Sequence, residues 1–91
     1  MLYVACYDIS CDKSRNRMAS ALLDYGARIQ ESVFECLLDD EGYKRLIADI
    51  ERVPLAGTDK VRIYKLCARC VEQMAIYGPG EIASDPDYYL I

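Results

Sequence analysis

The sequence predicts an α+β domain in the order βαββαβ, with an antiparallel four-stranded sheet and two helices on one face. Three observations carry that expectation. Short runs rich in β-branched and aromatic residues recur along the chain, two apolar stripes with helical spacing lie between them, and Gly, Pro or Asp punctuates the junctions. Residues 2–9, LYVACYDI, hold no Gly or Pro and read as a central strand covered on both faces, ending in charge at Asp8. Ser10, Cys11 and Asp12 supply turn and N-cap chemistry. Met18, Ala21, Leu22 and Tyr25 then recur at i, i+3, i+4 and i+7 before Gly26 stops a first helix.

From Ala27 to Leu38 the pattern is β-type, and twelve residues is twice a typical strand, so a tight hairpin is expected near Gln30 to Ser32. Asp39, Asp40 and Glu41 place negative charge on a second helix N-terminus. Its stripe is Tyr43, Leu46, Ile47, Ile50 and Val53, and Pro54 ends it. Residues 54–60 contain Gly57 and read as a loop, and Val61 to Leu66 alternates as a strand. The simplest packing of this order is ferredoxin-like. A domain over residues 1–78 is expected, including a further short strand near 74–78, followed by a tail over 79–91. That strand lies beyond the completed sheet and needs an edge to cover, its own or a partner's.

Size bears on the same point. A chain of 91 residues makes one domain that buries roughly 9,500 Å² on folding. With somewhat over half of that area apolar, burial contributes on the order of 140 kcal/mol at about 25 cal/mol/Å². Ordering the chain at ~1.5 kcal/mol per residue costs roughly the same. The lone monomer is marginal, which favours a homodimer. No apolar run approaches the roughly eighteen residues of a membrane span, and the opening run lacks a basic leader, so no membrane role and a cytoplasmic location are expected. Five cysteines is an odd number that agrees with a reducing compartment.

The net charge of −4 argues against a generic polyanion binder. Charge is uneven, however. Residues 37–60 hold six acids and four bases, whereas Lys13, Arg15 and Arg17 form a local basic patch without an acid among them. Any phosphate contact is expected there. With no histidine in the chain, His-dependent catalysis and the usual zinc hydrolase sites are excluded. Carboxylates and thiols remain. Asp8 closes an apolar strand, which requires hydration, hydrogen bonding or a metal to offset desolvation, and it reads equally as a turn or helix cap. Cys67 and Cys70 have the CxxC spacing of a zinc or disulfide pair, but no second pair completes a tetrahedral site, so two inert strand-end thiols is the plainer reading. Arg15 and Arg17 lie two apart and point to different sides of a helix; Arg28 comes from the next segment. Phe34, the only phenylalanine, is expected in the core on placement alone.

Tyr7-Asp8-Ile9-Ser10 closing the first strand, the Asp12-Lys13 turn with Arg15 and Arg17, and Gln30-Glu31-Ser32-Val33-Phe34-Glu35-Cys36 make a specific combination. With Val61-Arg62-Ile63-Tyr64 and Ile76-Tyr77-Gly78, residues 1–78 resemble the CRISPR-associated Cas-two family, the smaller of the two core spacer-acquisition proteins. The resemblance implies a ferredoxin-like homodimer whose last strand packs on the partner's sheet. It implies that Asp8 binds magnesium together with its symmetry mate, and that Tyr7, Arg15, Arg17, Arg28 and Phe34 serve nuclease activity or contact with nucleic acid. It also implies metal-assisted phosphodiester hydrolysis on DNA or RNA, and a scaffold role beside the Cas-one integrase. Glu31 departs from the tyrosine often found there. Two other readings are a noncatalytic adaptor in which Asp8 only caps a turn, and a ligand-sensing or metal-binding module built on Cys67 and Cys70.

Overall fold

The structure, a computed structural model, describes residues 1–77. β1 (Leu2–Asp8) is followed by α1 (Asp12–Leu23), β2 (Ala27–Gln30), β3 (Val33–Leu37), α2 (Asp40–Glu51), β4 (Lys60–Leu66) and a short α3 (Ala68–Glu72). The sheet order is β2-β3-β1-β4, and β1 pairs antiparallel with both β3 and β4. The chain therefore has the ferredoxin-like arrangement expected for βαββαβ.

Register decides which side chains share a face. Tyr3 and Ala5 of β1 stand opposite Cys36 and Phe34 of β3, and Ala5 and Tyr7 stand opposite Ile63 and Val61 of β4. These residues meet Met18 and Leu22 of α1 and Leu46 and Ile50 of α2 in one core, with Tyr3 stacked on Tyr43 at 4.4 Å between ring centroids. At the start of α2 the Gly42 amide donates to the Asp39 carboxylate at 2.7 Å, and Asp40 and Glu41 complement the helix dipole. α1 is capped differently: Cys11 holds the N-cap position without a side-chain hydrogen bond. Tyr25 lies past the end of α1, and its hydroxyl donates to Asp49 of α2.

The opposite face of the sheet corrects one expectation. Among the described residues β1 is not covered on both sides, because both long helices pack on the Tyr3 face. Val4, Cys6, Val33 and Leu37 on the other side remain only half-buried, and Tyr64 is 49% exposed. At one end of the sheet α3 follows β4 and buries Val71. This helix was not expected; five residues are too few to show a helical period. Residues 74–77 pair with no strand of the described chain, and Ile76 and Tyr77 are exposed. The remainder of the expected 74–78 strand and the 79–91 tail lie outside the described residues.

Candidate functional site

At the Asp8 end of β1, the start of α1 and the β2–β3 turn border a cavity of about 570 Å³, lined by Tyr7, Asp8, Ile9, Arg15, Asn16, Arg28, Glu31 and Ser32. Strand alternation turns Tyr7 toward the helices, where its ring lies 6.3 Å from that of Phe34 and its hydroxyl donates to the Glu31 backbone carbonyl at 3.0 Å. Arg28 reaches the same oxygen with Nε at 3.0 Å and Nη2 at 2.5 Å, and its guanidinium sits 5.5 Å over the Phe34 ring. Arg15 donates through Nη1 to the Ile9 carbonyl at 3.2 Å and pairs with Asp12. Both arginines are thus tethered to the backbone while keeping further N–H donors for an anion. The departure at Glu31 costs this arrangement nothing, since the backbone carbonyl does the holding.

Asp8 corrects a premise of the sequence reading. It is exposed, so water hydrates the carboxylate, and no burial has to be offset. It has no hydrogen bond or ion pair among the described residues, and the N-cap of α1 belongs to Cys11, which removes the capping reading. What holds the neighbouring loop is Asp59. The Ser10 amide and hydroxyl donate to its Oδ1 at 3.1 and 3.2 Å, and the Ala56 amide to its Oδ2 at 2.9 Å. The two backbone donors, Ala56 first and Ser10 next, hold the Asp59 carboxyl below the usual carboxylate range. A lowered folded-state pKa stabilises the tie above the unfolded value of about 4 and loses it as pH falls through the folded value. Amide exchange at Ser10 and Ala56, taken relative to intrinsic rates, should therefore lose protection below about pH 4 in the wild type. Asp59→Asn should remove that acid dependence; an unchanged acid profile in the variant would refute the assignment.

A second cavity of about 290 Å³ on the open face shares Tyr7 and Asp8 and adds Cys6, Lys60 and Arg62. Lys60 stands directly opposite Asp8, and Arg62 opposite Cys6. Four cations, Arg15, Arg28, Lys60 and Arg62, therefore border the two cavities that Asp8 joins, against the two carboxylates Asp8 and Glu31. Asp12, paired with Arg15, and Asp59, tied to Ser10, lie beside this lining, so the cations gather at the cavities without making the whole end positive. Lys60 and Arg62 were missed in the sequence, where only the antiparallel register between β1 and β4 would have pointed to them.

The expected site residues do not all converge. Tyr7, Asp8, Arg15 and Arg28 line one cavity, but Arg17 faces a separate depression with Lys13, Asn16 and Ser20. The expected contact between Phe34 and nucleic acid is corrected: its ring is fully buried, and it serves as the floor under Arg28. Among the described residues no three Cys, Asp or Glu side chains group as a metal site. Of the two carboxylates in the lining, Asp8 is the one that both cavities share, and it offers a hard oxygen ligand with no bond among the described residues. That donor suits magnesium, which commonly takes one or two carboxylates and completes its shell with waters and phosphate oxygens. No described helix is long and apolar enough to cross a membrane.

Residues 1–74 match the family CRISPR associated protein Cas2. A Chloroflexus aurantiacus protein named CRISPR-associated endoribonuclease Cas2 1 is 42% identical over 93 residues, which span 100% of both chains. Among solved structures, a hypothetical protein from Thermus thermophilus is similar with a TM-score of 0.77 and 36% identity, covering 91% of this chain and 96% of its own. Streptococcus pyogenes Cas2, crystallised at pH 6.5, has a TM-score of 0.73 and 25% identity, covering 86% of this chain and 100% of its own.

Proposed function

The chain belongs to the CRISPR-associated Cas2 family, and from that premise we propose that it handles nucleic acid in spacer acquisition as a homodimer, hydrolysing phosphodiester bonds with magnesium at Asp8. The observation that carries this reading is the solvated, unbonded Asp8 carboxylate bordered by four cations. Relatives of the chain bear the name endoribonuclease, which supports a phosphodiester as the substrate bond.

Arg15 and Arg28, held in place by backbone carbonyls, grip phosphate oxygens with little further loss of side-chain freedom. Lys60 and Arg62 draw the backbone across the open face toward Asp8. The Tyr7 hydroxyl donates a hydrogen bond to the Glu31 carbonyl, so within the proposed site Tyr7 acts as a positioning residue for the hairpin. Asp8 would hold the metal with its symmetry mate; magnesium, when bound, supplies charge balance and an activated water. The half-buried open face, the edge of β4 that no described strand covers and the exposed Ile76 and Tyr77 support a partner sheet laid against this one, with the last strand added at an edge. A noncatalytic adaptor for the Cas-one integrase is the second reading. It is favoured by one observation, that each chain brings only the carboxylates Asp8 and Glu31 to the site and no histidine.

The test is the salt dependence of binding to duplex DNA and to RNA. Arg15→Ala should weaken binding and flatten the plot of log K against log salt by up to about 0.9 for each duplex phosphate that Arg15 neutralises. Arg17→Ala should do so less, since Arg17 lies outside the cavity. Arg52→Ala, paired with Asp49 on α2, should leave the slope unchanged. Equal slopes for all three variants would overturn the interface.

A further inference from the structure

The CxxC pair is not used by the site described above. Cys67 immediately precedes α3 and Cys70 lies on its first turn, which brings the two sulfurs to 3.4 Å. Both residues are exposed. They sit where the chain leaves β4, at the end opposite Lys60 and Asp8, seven residues and so about 20 Å along the strand. The other described thiols differ: Cys36 is buried, Cys6 is half-buried, and Cys11 is exposed with no thiol partner.

We propose that Cys67 and Cys70 form a reversible dithiol–disulfide couple, oxidised by a small-molecule disulfide of the glutathione class. A disulfide needs sulfurs about 2.05 Å apart and Cα atoms within roughly 4.4–6.8 Å, a span that residues three apart on one helical turn satisfy. The Cys70 backbone amide and thiol beside the Cys67 sulfur favour its thiolate, while the neighbouring Cys67 sulfur pushes the Cys70 thiol up. The Cys67 thiolate attacks one sulfur of the small disulfide, and a mixed disulfide forms as the first small thiolate leaves and takes a proton. Cys70, losing its proton, then attacks Cys67 Sγ and expels the second small thiol. Two protein thiols have given up two electrons and two protons, and one small disulfide has become two thiols. Closure staples the first turn of α3, which Val71 anchors, and so fixes the path of the chain beyond β4.

The full chain, equilibrated in glutathione buffers from reducing to oxidising, alkylated, and digested with trypsin without reduction, tests this directly. Cleavage after Lys65 and Arg69 places the two thiols in separate peptides, residues 66–69 and 70–91. In oxidising buffer these peptides should appear joined in the monomer-mass band of a nonreducing gel, with two of the five thiols protected from alkylation. Reduced glutathione should return both. Cys67→Ser and Cys70→Ser should each abolish the joined pair and leave a glutathione adduct on the remaining thiol. Separate adducts on Cys67 and Cys70 of the wild type, joining only between chains, or stoichiometric zinc that shields both thiols would each overturn the couple. None of these readouts depends on nucleic-acid binding or cleavage, so the couple and the Asp8 site stand or fall separately.

Discussion

Asp8→Asn should abolish magnesium-dependent cleavage of RNA and duplex DNA, by a factor on the order of 10² or more, while the protein stays folded and dimeric. The side chain makes no hydrogen bond within the described chain and is exposed, so the change to stability should remain within about 0.5 kcal/mol, as for other surface substitutions. Asparagine keeps the shape and one acceptor oxygen but removes the charge that holds a hard cation, and in a two-fold dimer it removes two such charges at once. Glu31 is then the one carboxylate left in the lining beside Lys60, Arg62, Arg15 and Arg28, so binding should persist or tighten even as cleavage disappears. The measurement is cleavage with and without magnesium by wild type and variant, alongside mass by light scattering. Wild-type cleavage that survives the substitution would remove Asp8 from the metal site. A monomer at micromolar concentration would remove the partner carboxylate and the dimer with it. If the wild type cleaves nothing, the adaptor reading replaces the nuclease, and spacer acquisition in cells carrying Asp8→Asn becomes the deciding assay.

How far the sequence reached depended on the range of the interactions involved. The helices were legible because Met18 and Leu22, and Leu46 and Ile50, repeat at one helical turn, and the core uses those positions. The hairpin at Glu31 and Ser32 was legible from the length of the β-type run. α3 was not, because its single buried residue, Val71, leaves no period to read. Asp8 misled in the opposite sense: an apolar strand suggested burial of its last residue, yet the open face leaves the carboxylate in water. The tie from Ser10 to Asp59 and the approach of Lys60 to Asp8 each join residues about fifty apart in the chain. Only the strand register creates such pairs, and a single sequence does not print it. Tyr7, Asp8, Arg15 and Arg28 were brought together by family resemblance, since residue spacing alone left their convergence open.

Gly26→Ala should be among the most disruptive single-methyl changes the fold can suffer, with a loss of roughly 3 kcal/mol or more. Gly26 closes α1, its amide donating to the Leu22 carbonyl at 3.1 Å, and the chain enters β2 at the next residue. The reason for glycine is proximity, not a left-handed backbone. A Cβ here would meet the Glu35 carbonyl oxygen at 2.2 Å, Cys36 Sγ at 2.6 Å and Cys36 Cα at 2.8 Å. Two of those atoms are backbone of β3, which is paired on both sides by β1 and β2, and the third belongs to a fully buried side chain. None can swing aside, so the junction of α1 and β2 must move as a unit. Against a total stability of about 5–15 kcal/mol, and at roughly 4–8 °C per kcal/mol for a chain of this size, the melting temperature should fall by about 12 °C or more. Because β2 carries Arg28, the same shift should loosen the guanidinium from Phe34 and from the Glu31 carbonyl, and weaken phosphate binding in whatever protein remains folded. Gly57→Ala is the control, because nothing lies within 4 Å of its added methyl; it should be neutral or stabilise by up to about 1 kcal/mol. Thermal unfolding of the two variants followed by circular dichroism decides the matter: equal melting temperatures would mean that β3 yields where its pairing says it cannot.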